Sequence, residues 1–324
     1  MGHMTHRLAI CTLLEGGYHH GLGPLVNSLV GNGFRGVVWA GIRGGLPPWA
    51  LPVSEAGAYA EFAAAPDCLI RFIRLDTAAH LTNYKPDFML RVLEREAPDC
   101  AGLFYIDPDV VVGHAWRFFE NWITCGVAVC EDVNSPCAAQ HPRRVGWRRF
   151  YAERGVVLRP GLSEYANGGF VGVRREEIAF LRLWKQMQDQ LWETLGGAEY
   201  VGIGGGKSIA GRAGFADCFD KTDQDVLNAA LEALSGIAVS FVNQQAMGFL
   251  PGRALLPHAL GPSKPWSKRY LRDALRGRAP RAVDKAYWHW AAAGPVRVFS
   301  PEHLRRQRLC LRVASALGRI LRCS

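Results

Sequence analysis

No stretch of this chain approaches the roughly 18 uninterrupted apolar residues of a membrane-crossing helix. The N-terminus has neither the charged start nor the apolar run of a secretory signal, and Met1, Gly2 and His3 read as an expression remnant ahead of a native start at Met4. A CxxC pair is missing as well. Nine cysteines, an odd number, fit neither a disulfide framework nor paired zinc ligands, so they read as reduced thiols in a cytosol-like compartment. There is no internal repeat and no low-complexity linker. What remains is 324 residues, 49% hydrophobic and 21% charged, which is globular composition with enough length for a sizeable core.

Acidic residues are scarce in one region only. From Lys264 to Ser324 there are fifteen Lys or Arg against three Asp or Glu; that stretch carries +12 of a total of +9, which leaves −3 for residues 1–263. A nucleic-acid binder would spread basic charge over its body, so the asymmetry excludes that class and points to an acidic body with a cationic extension. The expected division is 4–266 for the body and 267–324 for the basic helical extension.

Short β-branched and aromatic runs alternate with helical patterns. Residues 7–14, 36–42, 68–75, 102–112, 127–133 and 168–173 read as strands; 22–30, 85–96 and 175–195 read as helices. That order predicts an α/β fold, a mixed and mostly parallel sheet with helices on both faces. The glycine-rich region 196–214 reads as a long mobile loop. Within it Gly202 to Ser208 mimics a phosphate loop but fails the spacing, because Val201 stands where glycine is required.

The apolar strand Leu103 to Ile106 runs straight into Asp107-Pro108-Asp109. Carboxylates at the end of a buried strand are costly unless a cation or a set of donors compensates them. Ligands of open α/β sheets lie outside the carboxyl ends of strands, where this pair would sit. Read alone, Asp-Pro-Asp is equally a turn. A second cluster follows much later as His258, Gly261, Lys264, Pro265 and Trp266. An imidazole can ligate a divalent metal, a lysine six residues on can neutralise phosphate oxygens, and glycine lets backbone approach a diphosphate.

Together these residues resemble the GT-A glycosyltransferases, and in particular glycosyltransferase family 8, through a DxD motif (Asp107-Pro108-Asp109) and an HxxGxxKPW motif (His258 to Trp266). Tyr165-Ala166-Asn167-Gly168-Gly169 resembles the family's strand entry, and Thr222 to Asn228 its DQD-x-LN helix start. The resemblance implies a Rossmann-like GT-A fold and a retaining hexosyltransferase. It implies that Asp107, Asp109 and His258 hold Mn²⁺ or Mg²⁺, with Lys264, Gly261 and Trp266 on the side of a nucleotide-diphosphate sugar, UDP-sugar by preference. It further implies that Lys85, Asp132, Asn167, Gly168 and Asp223 contact the donor sugar and that Gln224 faces the anomeric carbon. The acceptor would be a glycan, a lipid-linked saccharide or a protein.

Each of these residues also has a plain reading: Lys85 solvated at a helix start, Asp132 a polar strand end, Asp223 a helix cap. The segment Leu14 to His20 departs from the family's base-binding pattern. The arginines of 137–160 could serve an anionic acceptor or a solvated loop. From Pro301 on, Leu309, Val313, Ala316, Leu317, Ile320 and Leu321 share a helical face flanked by arginines, which suits an anionic membrane surface or docking on the body. The expected location is cytoplasmic, with peripheral attachment to the inner face of a membrane. A sugar-nucleotide or glycan-binding protein without turnover and a nucleotidyltransferase remain alternatives.

Overall fold

A computed structural model describes residues 8–51, 54–56, 59–197, 200–201, 207–208 and 218–321. The elements run β1 (Leu8–Glu15), α1 (His19–Gly31), β2 (Gly36–Arg43), β3 (Ser54–Ala56), β4 (Tyr59–Ala65), β5 (Cys68–Arg74), α2 (Lys85–Arg91), β6 (Gly102–Ile106), α3 (Trp116–Trp122) and β7 (Val127–Glu131). They continue with α4 (Pro142–Ala152), β8 (Ala166–Arg174), α5 (Ile178–Leu195), β9 (Tyr200–Val201), β10 (Lys207–Ser208), α6 (Thr222–Ala233), β11 (Val239–Val242), α7 (Tyr270–Leu275), α8 (Ala282–Ala292) and α9 (Pro301–Ile320). Most of the expected glycine-rich loop, including 202–206 of the phosphate-loop mimic, lies outside the described residues.

Nine strands form one sheet in the order β11-β7-β8-β6-β1-β2-β5-β4-β3, and β9 pairs with β10 separately. In the large sheet only β8 and β4 run against the rest, so the expected mostly parallel sheet is present. Strand alternation divides β6 between two cores. Leu103 and Tyr105 join one layer with α2, α5 and α6; Phe104 and Ile106 join the other with α1 and α3. The strand expected over 102–112 stops at Ile106. Pro108 has no N–H to continue a ladder, and Val110 N–H turns back to the Asp107 carbonyl at 3.0 Å.

The basic extension is docked on the body. The Asn27 side chain in α1 donates to the carbonyls of Trp290 and Val296, both at 3.0 Å, and accepts from Val296 N–H at 2.8 Å. Gly23 and Gly31 make the approach possible, since a Cβ on them would fall 2.0 Å from Val298 and 2.4 Å from Trp290. Helix α9 buries Leu304, Leu311, Ala314 and Gly318. Of the two readings of the Leu309 face, docking on the body is not what the structure has: Leu309, Val313, Ile320 and Leu321 are exposed, and Leu317 packs only partly against the buried cluster. No helix among the described residues is long and apolar enough to cross a membrane.

Candidate active site

The turn after β6 is fixed by backbone. Asp107 N–H donates to the Gly169 carbonyl in β8 at 2.9 Å. The segment around His258 then lies antiparallel beside it, with Val111 N–H on the Pro257 carbonyl (3.1 Å), Ala259 N–H on the Asp109 carbonyl (3.0 Å) and a bridge between Val110 and His258. This short ladder brings an imidazole to a carboxylate about 150 positions away in sequence. His258 Nε2 stands 3.3 Å from Asp109 Oδ1. Asp107, Asp109 and His258 each offer one ligand atom, all within 4.8 Å of one another. Oxygen ligands at about 2.0–2.6 Å from one cation are at most about 4–5 Å apart, so the triad has the size of a coordination shell. Two hard oxygens and one nitrogen suit Mn²⁺ or Mg²⁺, the nitrogen tilting the set toward Mn²⁺. The other ring nitrogen of His258, Nδ1, is buried without a hydrogen-bond partner.

Glycine makes the space. A Cβ on Gly169 would meet His258 Cε1 at 2.6 Å and Asp107 Oδ2 at 3.0 Å; one on Gly21 of α1 would lie 2.1 Å from the Pro108 carbonyl oxygen. Neither steric demand has a signal in sequence, because each arises between segments far apart in the chain.

Two lysines balance the carboxylates. Lys264 Nζ donates to Asp109 Oδ2 at 2.5 Å and to the Ala259 carbonyl at 3.1 Å. Lys85 is only 2% exposed, which removes the solvated reading. Its Nζ donates to the Gly168 carbonyl (2.8 Å) and to Asp223 Oδ2 (3.0 Å), and lies 3.7 Å from Asp107 Oδ1. Burial alone would lower both ammonium pKa values, yet both are raised: Asp107 and Asp223 prevail at Lys85, and Asp109 at Lys264. At Asp109 burial pushes upward, but His258 and Lys264 together hold the carboxyl well below the usual carboxylate range. Tyr105 donates its hydroxyl to Asp107 Oδ1 at 2.6 Å.

One cavity of about 350 Å³ collects Asp107, Asp109, His258, Lys264, Lys85, Asn167, Gly168, Asp223 and Gln224. Gln224 accepts from Gly168 N–H at 3.0 Å. Asn228, far from being a surface residue, is 1% exposed and ties α6 to the Ala166 backbone through both ends of its amide. Asp132, Gly261 and Trp266 are not among the lining residues. Asp132 is buried behind Asn167, whose amide donates to its Oδ2 at 2.6 Å. Gly261 sits on an exposed turn with φ +101°. Trp266 stands edge-on behind Tyr18, ring centres 5.8 Å apart. Sequence reasoning passed over Tyr18, His80, Thr82, Gly169 and Leu260 as lining residues. His80 had a readable neighbour, since its Nδ1 lies 2.7 Å from the Thr82 hydroxyl two residues on. Three of the four arginines of α4 are engaged by carboxylates, Arg144 fully buried and, with Arg148, bound to Glu232, and Arg143 paired with Asp220; Arg149 is exposed.

No family model matches the chain, and no curated protein matches it by sequence. Solved structures do. The bifunctional glycosyltransferase WbbM aligns over 95% of the chain with TM-score 0.55 and 13% identity; the chain spans about half (52%) of WbbM. The galactosyltransferase LgtC, in complex with donor and acceptor sugar analogues, aligns over 92% of the chain and 99% of its own length with TM-score 0.54 and 16% identity. The glycosyltransferase GlyE of Streptococcus pneumoniae TIGR4 aligns over 94% of the chain and 64% of its own, with TM-score 0.50 and 12% identity. Likeness at such identities is likeness of architecture, and by it the chain has the GT-A fold of the glycosyltransferases.

Proposed function

We propose that the chain is a metal-dependent glycosyltransferase that moves a hexose from UDP-hexose to a glycan, lipid-linked or protein acceptor with retention of configuration. The observation that supports this most strongly is the meeting of Asp107, Asp109 and His258 beside Lys264 and Lys85 in one cavity on a GT-A fold. The triad would hold Mn²⁺ or Mg²⁺, which supplies Lewis-acid stabilisation of the charge developing on a leaving diphosphate.

Lys264, on the other carboxylate oxygen of Asp109 from His258, would give the diphosphate a second cationic contact. Asn167, Asp223 and Gln224 offer hydrogen bonds to the donor sugar, and Lys85 holds the Asp223 carboxylate in place at 3.0 Å. Asp132 acts behind them by fixing the Asn167 amide. Gln224 is a poor nucleophile, and Asp223 is engaged by Lys85, so the residues favour attack by the acceptor hydroxyl on the face from which the diphosphate departs. The leaving phosphate then accepts the hydroxyl proton. Paired carboxylates one residue apart do not straddle a glycosidic bond as hydrolase acids do. The exposed Leu309, Val313 and Ile320, with Arg305, Arg308, Arg312 and Arg319 on the same helix, suit the anionic surface of a membrane that carries such acceptors.

Turnover of a panel of nucleotide sugars in Mn²⁺, wild type against Asp109→Asn, tests the reading. Transfer or slow donor hydrolysis by wild type, lost in the variant, is expected. Nucleotide binding without turnover of any donor would leave only a binding function.

A further inference from the structure

From its charge the extension looks like an appendage, yet it grips the one segment that carries Lys264. Between Leu260 and Lys264 the chain has little packing of its own: Gly261, Pro262 and Ser263 are exposed, and Gly261 takes a left-handed φ with no atom within 4 Å of where a Cβ would stand. The Lys264 ammonium is tied at its tip to Asp109 and the Ala259 carbonyl, but residues 261–263 do little to fix the backbone from which it leaves. The fixing comes from the other side. Pro265 is buried, and its carbonyl accepts from the Tyr270 hydroxyl at 3.0 Å. That hydroxyl accepts in turn from Trp288 Nε1 at 3.0 Å.

The direction of this relay is forced. An indole N–H can only donate and a carbonyl can only accept, so the phenol between them has one arrangement. Tyr270 and Trp288 are 4% and 2% exposed, which removes water as a substitute partner. Trp288 belongs to α8, and α8 is anchored to the body by Tyr287, whose hydroxyl donates to the His20 carbonyl at 2.8 Å. Lys264 itself sits in a turn closed by Ser267: Lys264 N–H donates to Ser267 Oγ (3.1 Å), and the Lys264 carbonyl accepts from Ser267 and Lys268 N–H (2.9 and 3.1 Å).

We infer that Tyr270 and Trp288 are positioning residues, a hydrogen-bonded prop from α8 to the Pro265 carbonyl that aims the Lys264 ammonium at the diphosphate of the donor. The inference rests on the proposed nucleotide-sugar site and adds to it that the basic extension is part of that site's scaffold. The prop acts on Lys264 and not on the triad, because Asp107, Asp109 and His258 are held by their own ladder with β8 and residues 257–259.

Tyr270→Phe and Trp288→Phe keep an aromatic ring and remove one link each. The full chain is titrated with UDP in saturating Mn²⁺ by calorimetry, and with Mn²⁺ alone by electron paramagnetic resonance. The expected result is a split: UDP Kd rises at least fivefold in both variants while Mn²⁺ Kd stays within twofold, and the Ser267 and Lys268 amides exchange at least tenfold faster. Equal UDP affinity in wild type and variants overturns the inference, as does an equal loss of UDP and Mn²⁺ affinity, which would mark general loosening. Ser267→Ala, an exposed change, serves if either core variant fails to fold; it removes the Ser267 Oγ that holds the Lys264 N–H while leaving the backbone bonds to the Lys264 carbonyl, and is expected to show the same split, at least threefold, with no split overturning the inference. If wild type binds no UDP, the functional reading fails and takes the inference with it; if wild type binds UDP and the variants match it, the prop alone is refuted.

Discussion

Gly169→Ala is the smallest change that reaches the centre of the site. The new methyl would stand 2.6 Å from His258 Cε1 and 3.0 Å from Asp107 Oδ2. Carbon atoms rest at about 3.5–4.0 Å, so the ring or the strand must yield by about 1 Å. A coordination shell tolerates displacements of only about 0.2 Å. Overpacking of this kind costs about 1–3 kcal/mol; spent wholly against ion binding, that is roughly a 5- to 150-fold loss of affinity. The backbone itself accepts alanine, because Gly169 lies in β8 and not in the left-handed region. Folding should therefore survive. Gly168→Ala is the control: its Cβ would lie 3.1 Å from Asp223 Oδ2 and 3.3 Å from Lys85 Nζ, and none of the three ligands is among its nearest contacts. Mn²⁺ titration followed by electron paramagnetic resonance, without nucleotide, should show a large loss for Gly169→Ala and little for Gly168→Ala. Equal affinities in wild type and Gly169→Ala would refute the proposed ligand set.

Lys264→Met removes the ammonium 2.5 Å from Asp109, so Mn²⁺ alone should bind several-fold tighter while UDP binds about tenfold weaker; parallel losses in both titrations would contradict the assigned role. Asp225, buried beneath the site and raised by that burial to about 7, gives a pH signature. Its folded pKa lies above the ordinary value near 3.9, so its contribution to stability is complete below about pH 4 and is lost as pH rises through about 7. Asp225→Asn should flatten the fall in Tm between pH 5 and pH 8, and an unchanged slope would assign the effect elsewhere. Replacing Leu309, Val313 and Ile320 together by serine should cut co-sedimentation with anionic vesicles at least fivefold without altering Tm, since these side chains are exposed; unchanged sedimentation would remove α9 as the contact.

Much of the site was legible because its residues follow local rules. Asp107 and Asp109 end an apolar strand, and His258 and Lys264 keep a short spacing; these patterns were ambiguous singly, and only their combined resemblance to a family pointed to residues that line the cavity's polar side. What escaped depends on contacts between distant segments. The alanine-rich Tyr59–Ala65 carries little strand signal, and the four residues of β11 too few to show alternation, so both were passed over. Helix α9 is apolar on more than one side. Its arginine pattern drew attention to Leu309 and Val313, while docking selected Leu304, Leu311 and Ala314 through their fit with α7 and α8. Asp132 and Trp266 belong to the recognisable motifs yet stand one layer behind the cavity wall, a depth that motif spacing does not encode.

Asp107, Asp109 and His258 are proposed to form one metal site that holds a nucleoside diphosphate. Calorimetric titration of UDP into wild type and Asp109→Asn, each with and without Mn²⁺, tests it most directly. Mn²⁺ is expected to tighten UDP binding at least tenfold in wild type and to have no effect in Asp109→Asn. UDP binding that ignores Mn²⁺ in wild type, or a variant that responds to the ion as wild type does, would contradict it.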